Sequence, residues 1–259
     1  MRGDAVRIAS LVPSLTELVI ALGLGPRLVA RTGFCIHPAH DVADVPKVGG
    51  TKDVNLGKLR RLAPTHVLVN IDENRRETVE ALREFVPQVI VTHPCSPRDN
   101  LALFEQLRAA FAAEPGVAEH AAALADELAG ELARSEAQAW PEQRVLYLIW
   151  RAPWMTVARD TYIARMLRTV NWRSLPPQDG GPSGAARYPA LQGDESWLAG
   201  VDRVLLSSEP YRFDASHLAE AIDLCPGAQA QLVDGERLSW YGPRAAAGLR
   251  YLRTLAESA

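Results

Sequence analysis

Lysine is nearly absent from this 259-residue chain. Lys47, Lys52 and Lys58 stand alone, and arginine supplies the rest of the 28 basic residues, set against 31 acidic ones. A formal net charge of −3 without a basic cluster excludes the electrostatic footprint of a nucleic-acid binder. No acidic tail or block of like charge marks an interaction arm. Cysteine is scarce too: Cys35, Cys95 and Cys225 are odd in number, far apart and free of any CxxC pair, so neither a disulfide scaffold nor a zinc ribbon fits. The longest apolar run, Leu18 to Leu24, falls far short of the ~20 residues that span a bilayer, so no membrane insertion is expected. There is no GxSxG elbow, no GxxxxGK[ST] phosphate loop and no GxGxxG after a strand. Residues Met1 to Arg7 carry no hydrophobic signal region, which leaves either a cytoplasmic chain or one whose export signal precedes Met1 and has been trimmed.

What remains is a chain that is 47% hydrophobic and 23% charged, enough to bury a real core. Strand-type runs alternate with helical ones, the pattern of parallel βαβ units. Val6 to Val12 reads as a strand, followed by Pro13-Ser14; Ser14 and Glu17 have the spacing of a capping box, predicting a helix from about Leu15 to Leu22 that Gly23 and Gly25 stop. His66 to Asn70 and Val89 to Val91 read as buried strands, with helices over Arg75 to Phe85 and Leu101 to Phe111. Residues 117–140 are rich in Ala, Glu and Leu, hold no proline, and predict one long helix of roughly 36 Å. The alternation then restarts with strands at Arg144 to Trp150, Val204 to Ser207 and Ala230 to Val233, and helices at Thr161 to Val170 and Pro243 to Leu255. A faint internal echo joins Leu62 to Val69 with Leu198 to Leu206. The expected fold is α/β, with two Rossmann-like lobes joined by a single long α-helix: 1–115, a linking helix 116–141, and 142–259.

That layout carries motifs that resemble the helical-backbone metal-receptor family, the class III substrate-binding proteins of ABC importers for cobalamin and ferric siderophores. The matching residues are Arg7 to Leu18 (RIASLVPSLTEL), Lys47 to Thr51 (KVGGT) ahead of Asn55-Leu56, and Leu62 to Val67 (LAPTHV). Thr32 to Pro38, Trp150 to Met155 and Ser239 to Gly242 are similar to the cobalamin-binding branch. The resemblance implies a chelate held in a cleft between lobes, a rigid helical hinge and delivery to an ABC permease; a single-helix hinge predicts small closure, and no catalysis, no resident cofactor and a monomer are expected. It also implies an exposed docking Glu on each lobe. Glu73 or Glu77 is expected to serve in the first; the stretch Leu238 to Pro243 offers none in the second.

Ligands of open α/β sheets sit outside the carboxyl ends of the strands. Phe34, Asn70, Trp150, Trp154, Trp240 and Tyr241 fall there, and aromatic walls suit a wide planar ligand such as a corrin or an aryl chelate. Trp150 reads equally as core. Arg151 and Arg159 flank the Trp154 segment and are expected to clamp anionic oxygens, with Glu209 and Tyr211 at the edge; each Arg also reads as a solvated surface group. Cys35 and His37, two apart, would share a face of an extended loop and touch the metal; the alternative is a buried thiol beside a backbone-bonded His. A Cys35/His37 enzyme is the minor alternative. Corrinoid, ferric siderophore and heme all fit such a cleft, as does a cytoplasmic corrinoid-handling protein without a permease. His37-Pro38-Ala39-His40 is too short for the His-rich loop of a bare-ion carrier.

Overall fold

The computed structural model describes residues 5–258. They divide into two compact units. The first comprises the chain up to Pro94, Asn100–Asp126 and Tyr241–Pro243; the second comprises Cys95–Asp99, Glu127–Trp240 and the chain from Arg244 onward.

In the first unit the order is β1 (Ile8–Ser10), α1 (Pro13–Ala21), β2 (Leu28–Arg31), α2 (Ala39–Val42), α3 (Leu56–Leu62), β3 (His66–Asn70), α4 (Arg76–Leu82), β4 (Gln88–Thr92) and α5 (Asp99–Ala110). The strands form one parallel sheet in the order β2-β1-β3-β4. Helix α6 (Val117–Glu136) follows, and then β5 (Gln143–Leu148), α7 (Tyr162–Leu167), β6 (Trp172–Leu175), β7 (Arg203–Ser207), α8 (His217–Leu224), β8 (Gln229–Val233), α9 (Gly235–Ser239) and α10 (Arg244–Glu257). The second sheet is again parallel, in the equivalent order β6-β5-β7-β8. The echo of Leu62 to Val69 in Leu198 to Leu206 is therefore a repeated turn into the third strand of each sheet.

Each sheet is stabilised by its own apolar layer. Ala9, Leu11, Val67, Val69 and Leu82 are buried in the first unit. Leu146, Leu148, Val204, Leu206 and Phe213 are buried in the second. Strands buried on both faces read as apolar runs rather than alternating ones, which is why β3, β5 and β7 are visible in the sequence.

Two expectations need correction. The α1 cap is Val12, in extended backbone, with Pro13 at the first helical position and no side-chain cap bond. Pro13 fixes φ and lacks the N–H that would need a partner, so the helix starts ahead of Ser14, and Ser14 and Glu17 are buried instead of forming a capping box. The stop at Gly23 is as expected: at φ +78° it closes a Schellman turn, its N–H on Ile20 O and the Leu24 N–H on Val19 O, both at 2.9 Å. The long helix ends at Glu136 rather than 140, making it 20 residues. The Trp140 indole N–H turns back to donate to the Ser135 carbonyl at 2.9 Å, satisfying a terminal acceptor that another helical turn would have used.

Candidate functional site

In the first unit the chain leaves β2 through a turn, with Cys35 N–H on Thr32 O at 3.3 Å and Ile36 N–H on Phe34 O at 2.9 Å. This throws Phe34 and Ile36 outward, 64% and 52% exposed, and Cys35 inward, fully buried. The Cys35 thiol lies 3.1 Å from Thr32 Oγ1 and points toward the Ser10 carbonyl. Burial pushes that thiol above its usual pKa, against hydrogen bonds from Thr16 and Thr32 that lower it. Cys35 therefore faces the interior and does not share the outward face of the loop that Phe34 and Ile36 occupy. His37 is half-buried on the same loop. Among the described residues no group of three His, Cys, Asp or Glu side chains could hold a metal ion.

Asn70, expected to touch ligand, is buried and shapes the loop after β3: its Oδ1 accepts from Asp72 N–H at 2.8 Å, and its own N–H donates to Asn74 Oδ1 at 2.9 Å. Asn74 in turn donates to the carbonyls of Leu11 and Thr51. The loop presents Ile71 instead, 43% exposed. Glu73 accepts from the buried Tyr241 hydroxyl at 3.1 Å, so it is committed inside the unit, while Glu77 is exposed in the first turn of α4. Burial, then the Glu73 charge, hold the Tyr241 phenol well above its ordinary pKa. Tyr241 is interior, not an open wall.

The second unit is different. After β5, Trp150 and Met155 bridge antiparallel, and Ile149 N–H reaches Met155 O at 2.9 Å. This small hairpin packs on the loop after β7. Trp150 meets Tyr211 edge-on at 5.6 Å, and Trp154 stacks on Phe213 at 5.9 Å with 13° between planes. Arg151 lies 4.6 Å over the Trp154 ring and donates to Glu220 at 2.7 Å. The Tyr211 hydroxyl sits 3.1 Å from His217 Nε2, and His217 Nδ1 is 3.0 Å from Asp214. Trp154 is half-buried in this cluster; Trp150 stays 41% exposed. Arg159 is tied in a fork to Asp179 at 2.6 and 2.9 Å.

Trp240, also expected as an open wall, is only 9% exposed. Its indole N–H donates to Glu209 at 2.6 Å, Ser239 donates to the same oxygen at 2.7 Å, and Arg244 covers the ring at 4.3 Å. Glu209 therefore positions Trp240; burial raises its carboxyl pKa, opposed by those two hydrogen bonds. Trp172 is core, at 1% exposure. The sequence reading missed Phe213 and His217, which back Trp154 and Tyr211; an aromatic residue two positions after Tyr211, on the same side of an extended loop, was the available signal.

Residues 8–190 match the family model described as periplasmic binding protein. The chain belongs to the periplasmic binding protein family. Within that family it is 28% identical over 212 residues to the vitamin B12-binding protein of Vibrio vulnificus strain YJ016, covering 82% of this chain and 71% of that one. A vitamin B12-binding protein of Pectobacterium atrosepticum is 27% identical over 130 residues, half of this chain and 46% of that one. Among solved structures, the periplasmic vitamin B12 binding protein of Vibrio cholerae superposes with a TM-score of 0.81 at 19% identity, covering 97% of this chain and 96% of that one. The periplasmic heme-binding protein from Roseiflexus sp. RS-1 gives 0.76 at 19%, covering 98% and 99%. Identities that low establish the shared fold, which accords with the two parallel-sheet α/β units of this periplasmic binding protein. Family members bind ligands rather than transform them, and no described helix of this one is long and apolar enough to cross a membrane.

Proposed function

We propose that this protein is the substrate-binding component of an ABC-type importer and captures a metal chelate, a corrinoid in preference to heme or a ferric siderophore. The observation that carries this reading is Trp150: a large aromatic left exposed at the carboxyl end of β5, with a rigid backing of Tyr211, Phe213 and Trp154. A pre-set aromatic supplies wide apolar contact at little entropic cost. Phe34, Ile36 and Ile71 are exposed apolar side chains on the strand-end loops of the first unit. The vitamin B12-binding relatives support the corrinoid preference. Delivery to a permease, with Glu77 as the first unit's docking carboxylate, and a periplasmic or cell-surface location belong to the same reading.

Heme is the second reading, favoured by the heme-binding structural neighbours and by the uncharged apolar trio on the first unit. Titrating intrinsic tryptophan fluorescence with cyanocobalamin, cobinamide, hemin and ferric siderophores, corrected for absorption, tests both. Saturable quenching by corrinoids, lost in Trp150→Ala, is the expected result; saturation by hemin alone reverses the order, and silence across the panel overturns chelate capture.

A further inference from the structure

The second sheet is short of negative charge where its strands begin. Arg144, Arg173 and Arg203 stand there against Glu142 and Asp202. Glu142 is paired with Arg173 at 2.8 Å, and Asp202 is taken in the fork by Arg144. Arg203 is left over. It is the buried member of the three, 5% exposed, and among the described residues its guanidinium has no ion-pair partner and donates no hydrogen bond. Burial pulls its pKa below the ordinary guanidinium value, and the Asp202 charge opposes that fall. A buried cation without a bonded counter-charge is costly, so its surroundings matter.

Register fixes those surroundings. Arg203 and Ser174 both pair with Val145 on the strand between them, so the three side chains lie in one row on one face of the sheet. This is the face opposite Leu146, Leu148, Val204 and Leu206. The Arg203 guanidinium lies 5.5 Å over the Trp172 ring of β6, so it reaches across β5 to the strand that carries Ser174. Arg203 Nε and Ser174 Oγ are both buried without a hydrogen-bond partner, and so is Gln231 Nε2, on the same face one strand beyond Arg203. All three are groups that can donate, and among the described residues no side-chain acceptor on that face is left without a partner. A water would bring protons as well as lone pairs to these donors; an anion brings lone pairs alone, together with the missing charge. We infer that Arg203 is the base of a small-anion site at the amino ends of β6, β5 and β7, with the guanidinium supplying the charge and the Ser174 hydroxyl a second donor. The planar fork suits a small oxyanion such as phosphate or acetate, and chloride would use the same donors. The site lies at the end of the strands away from the loops assigned to chelate capture and stands independently of that reading.

The test is the thermal midpoint of the full chain at fixed pH and ionic strength, with chloride, phosphate or acetate replacing a bulky sulfonate as the buffer anion. The midpoint is expected to rise and saturate, by about 3–5 °C once an anion exceeds its dissociation constant tenfold. The anion that saturates at the lowest concentration identifies the occupant as oxyanion or halide. Arg203→Gln, which removes the charge, is expected to abolish the saturable rise and leave only the unsaturable effect that excluded salts have on any fold. Ser174→Ala is the second variant, should Arg203→Gln fail to fold. It deletes a hydroxyl that has no partner, so the midpoint in sulfonate stays the same or rises, while saturation needs several-fold more anion. A midpoint that follows ionic strength alone, whichever anion is present, overturns the site. So does a saturable rise that persists in Arg203→Gln, or one that Ser174→Ala does not move.

Discussion

Just before the third strand of each sheet, the two units meet the same requirement with different side chains. In the first, the Thr65 hydroxyl accepts from the Arg7 N–H at 2.8 Å, and the Arg7 guanidinium turns to the carbonyls of Ala63 and Leu62. In the second, Asp202 accepts from the Arg144 N–H at 2.7 Å and also takes the Arg144 guanidinium in a fork at 3.1 and 2.9 Å. The residue's carbonyl then opens the edge pairing in both, accepting from Gln88 N–H in one and Gln229 N–H in the other. The repeat is conserved as backbone geometry and not as residue identity. At the opposite strand ends the units diverge in kind: the first exposes a phenyl and two isoleucines, the second an aromatic cluster laced with charge.

Large effects should appear where another stretch of backbone crowds a glycine held at positive φ. Gly49 in the first unit adopts φ +101°, and a Cβ there would lie 2.3 Å from the Asp53 carbonyl oxygen. Gly49→Ala is expected to cost about 3 kcal/mol or more, read as a fall in thermal midpoint, because neither the dihedral nor a backbone neighbour can yield. At Gly235 in the second unit φ is ordinary, and the new Cβ would meet the Ser207 hydroxyl at 2.2 Å. Gly235→Ala should cost about 2 kcal/mol, and Gly235→Ala with Ser207→Ala should be less destabilised than the sum of the singles by about 1 kcal/mol. Strict additivity in that cycle would assign the clash to Glu209, whose Cγ lies 2.8 Å from the same Cβ, and not to the Ser207 hydroxyl.

Ligand affinity should divide the units the same way. Trp150→Ala is expected to lose about 2–4 kcal/mol of chelate binding, the range for a central aromatic anchor, while Ile71→Ala loses about 1 kcal/mol or less. Equal losses would show that both strand-end faces contribute alike and would remove the special role given to the second unit.

Legibility followed burial. β3, β5 and β7 are central strands in continuous apolar runs, so they are plain in the sequence; β2 (LVAR) and β6 (WRSL) are four-residue edge strands carrying arginine and are not. The long helix was legible from propensity, its end was not, because a side chain, Trp140, closes it. The same holds at the site. Which loops leave the carboxyl ends follows from strand order, and Trp150 and Phe34 are exposed there. The direction a side chain takes from a loop depends on turn geometry and on partners distant in sequence. Cys35 goes inward because of the Thr32 turn, Trp240 because Glu209 lies across from it, and Glu73 is taken by Tyr241, 168 positions away.

The smallest effect returns to Thr65 and Asp202. The Arg144 hydrogen bonds, then its charge, hold the Asp202 carboxyl below the usual carboxylate range. A depressed folded value means the carboxylate contributes stability above the ordinary carboxylate pKa of about 3.9, and that contribution is lost as pH falls through the lower, folded value. Both partners are partly exposed, so solvent screens the pair and the contribution is modest. Asp202→Thr, which writes the first unit's solution into the second, should cost about 1 kcal/mol at neutral pH, since Thr retains an acceptor for the Arg144 N–H and loses only the fork. The cost should begin to shrink below about pH 4, where the unfolded chain's carboxylate takes up protons that the folded one still resists, and Thr has nothing to lose. The reverse substitution, Thr65→Asp, should gain little, since the Arg7 guanidinium is already committed to two carbonyls. Denaturant midpoints of both variants between pH 3 and pH 7 decide it: a flat, small cost for Asp202→Thr would show that the N–H acceptor alone opens the third strand in both units, and that the carboxylate fork adds no stability.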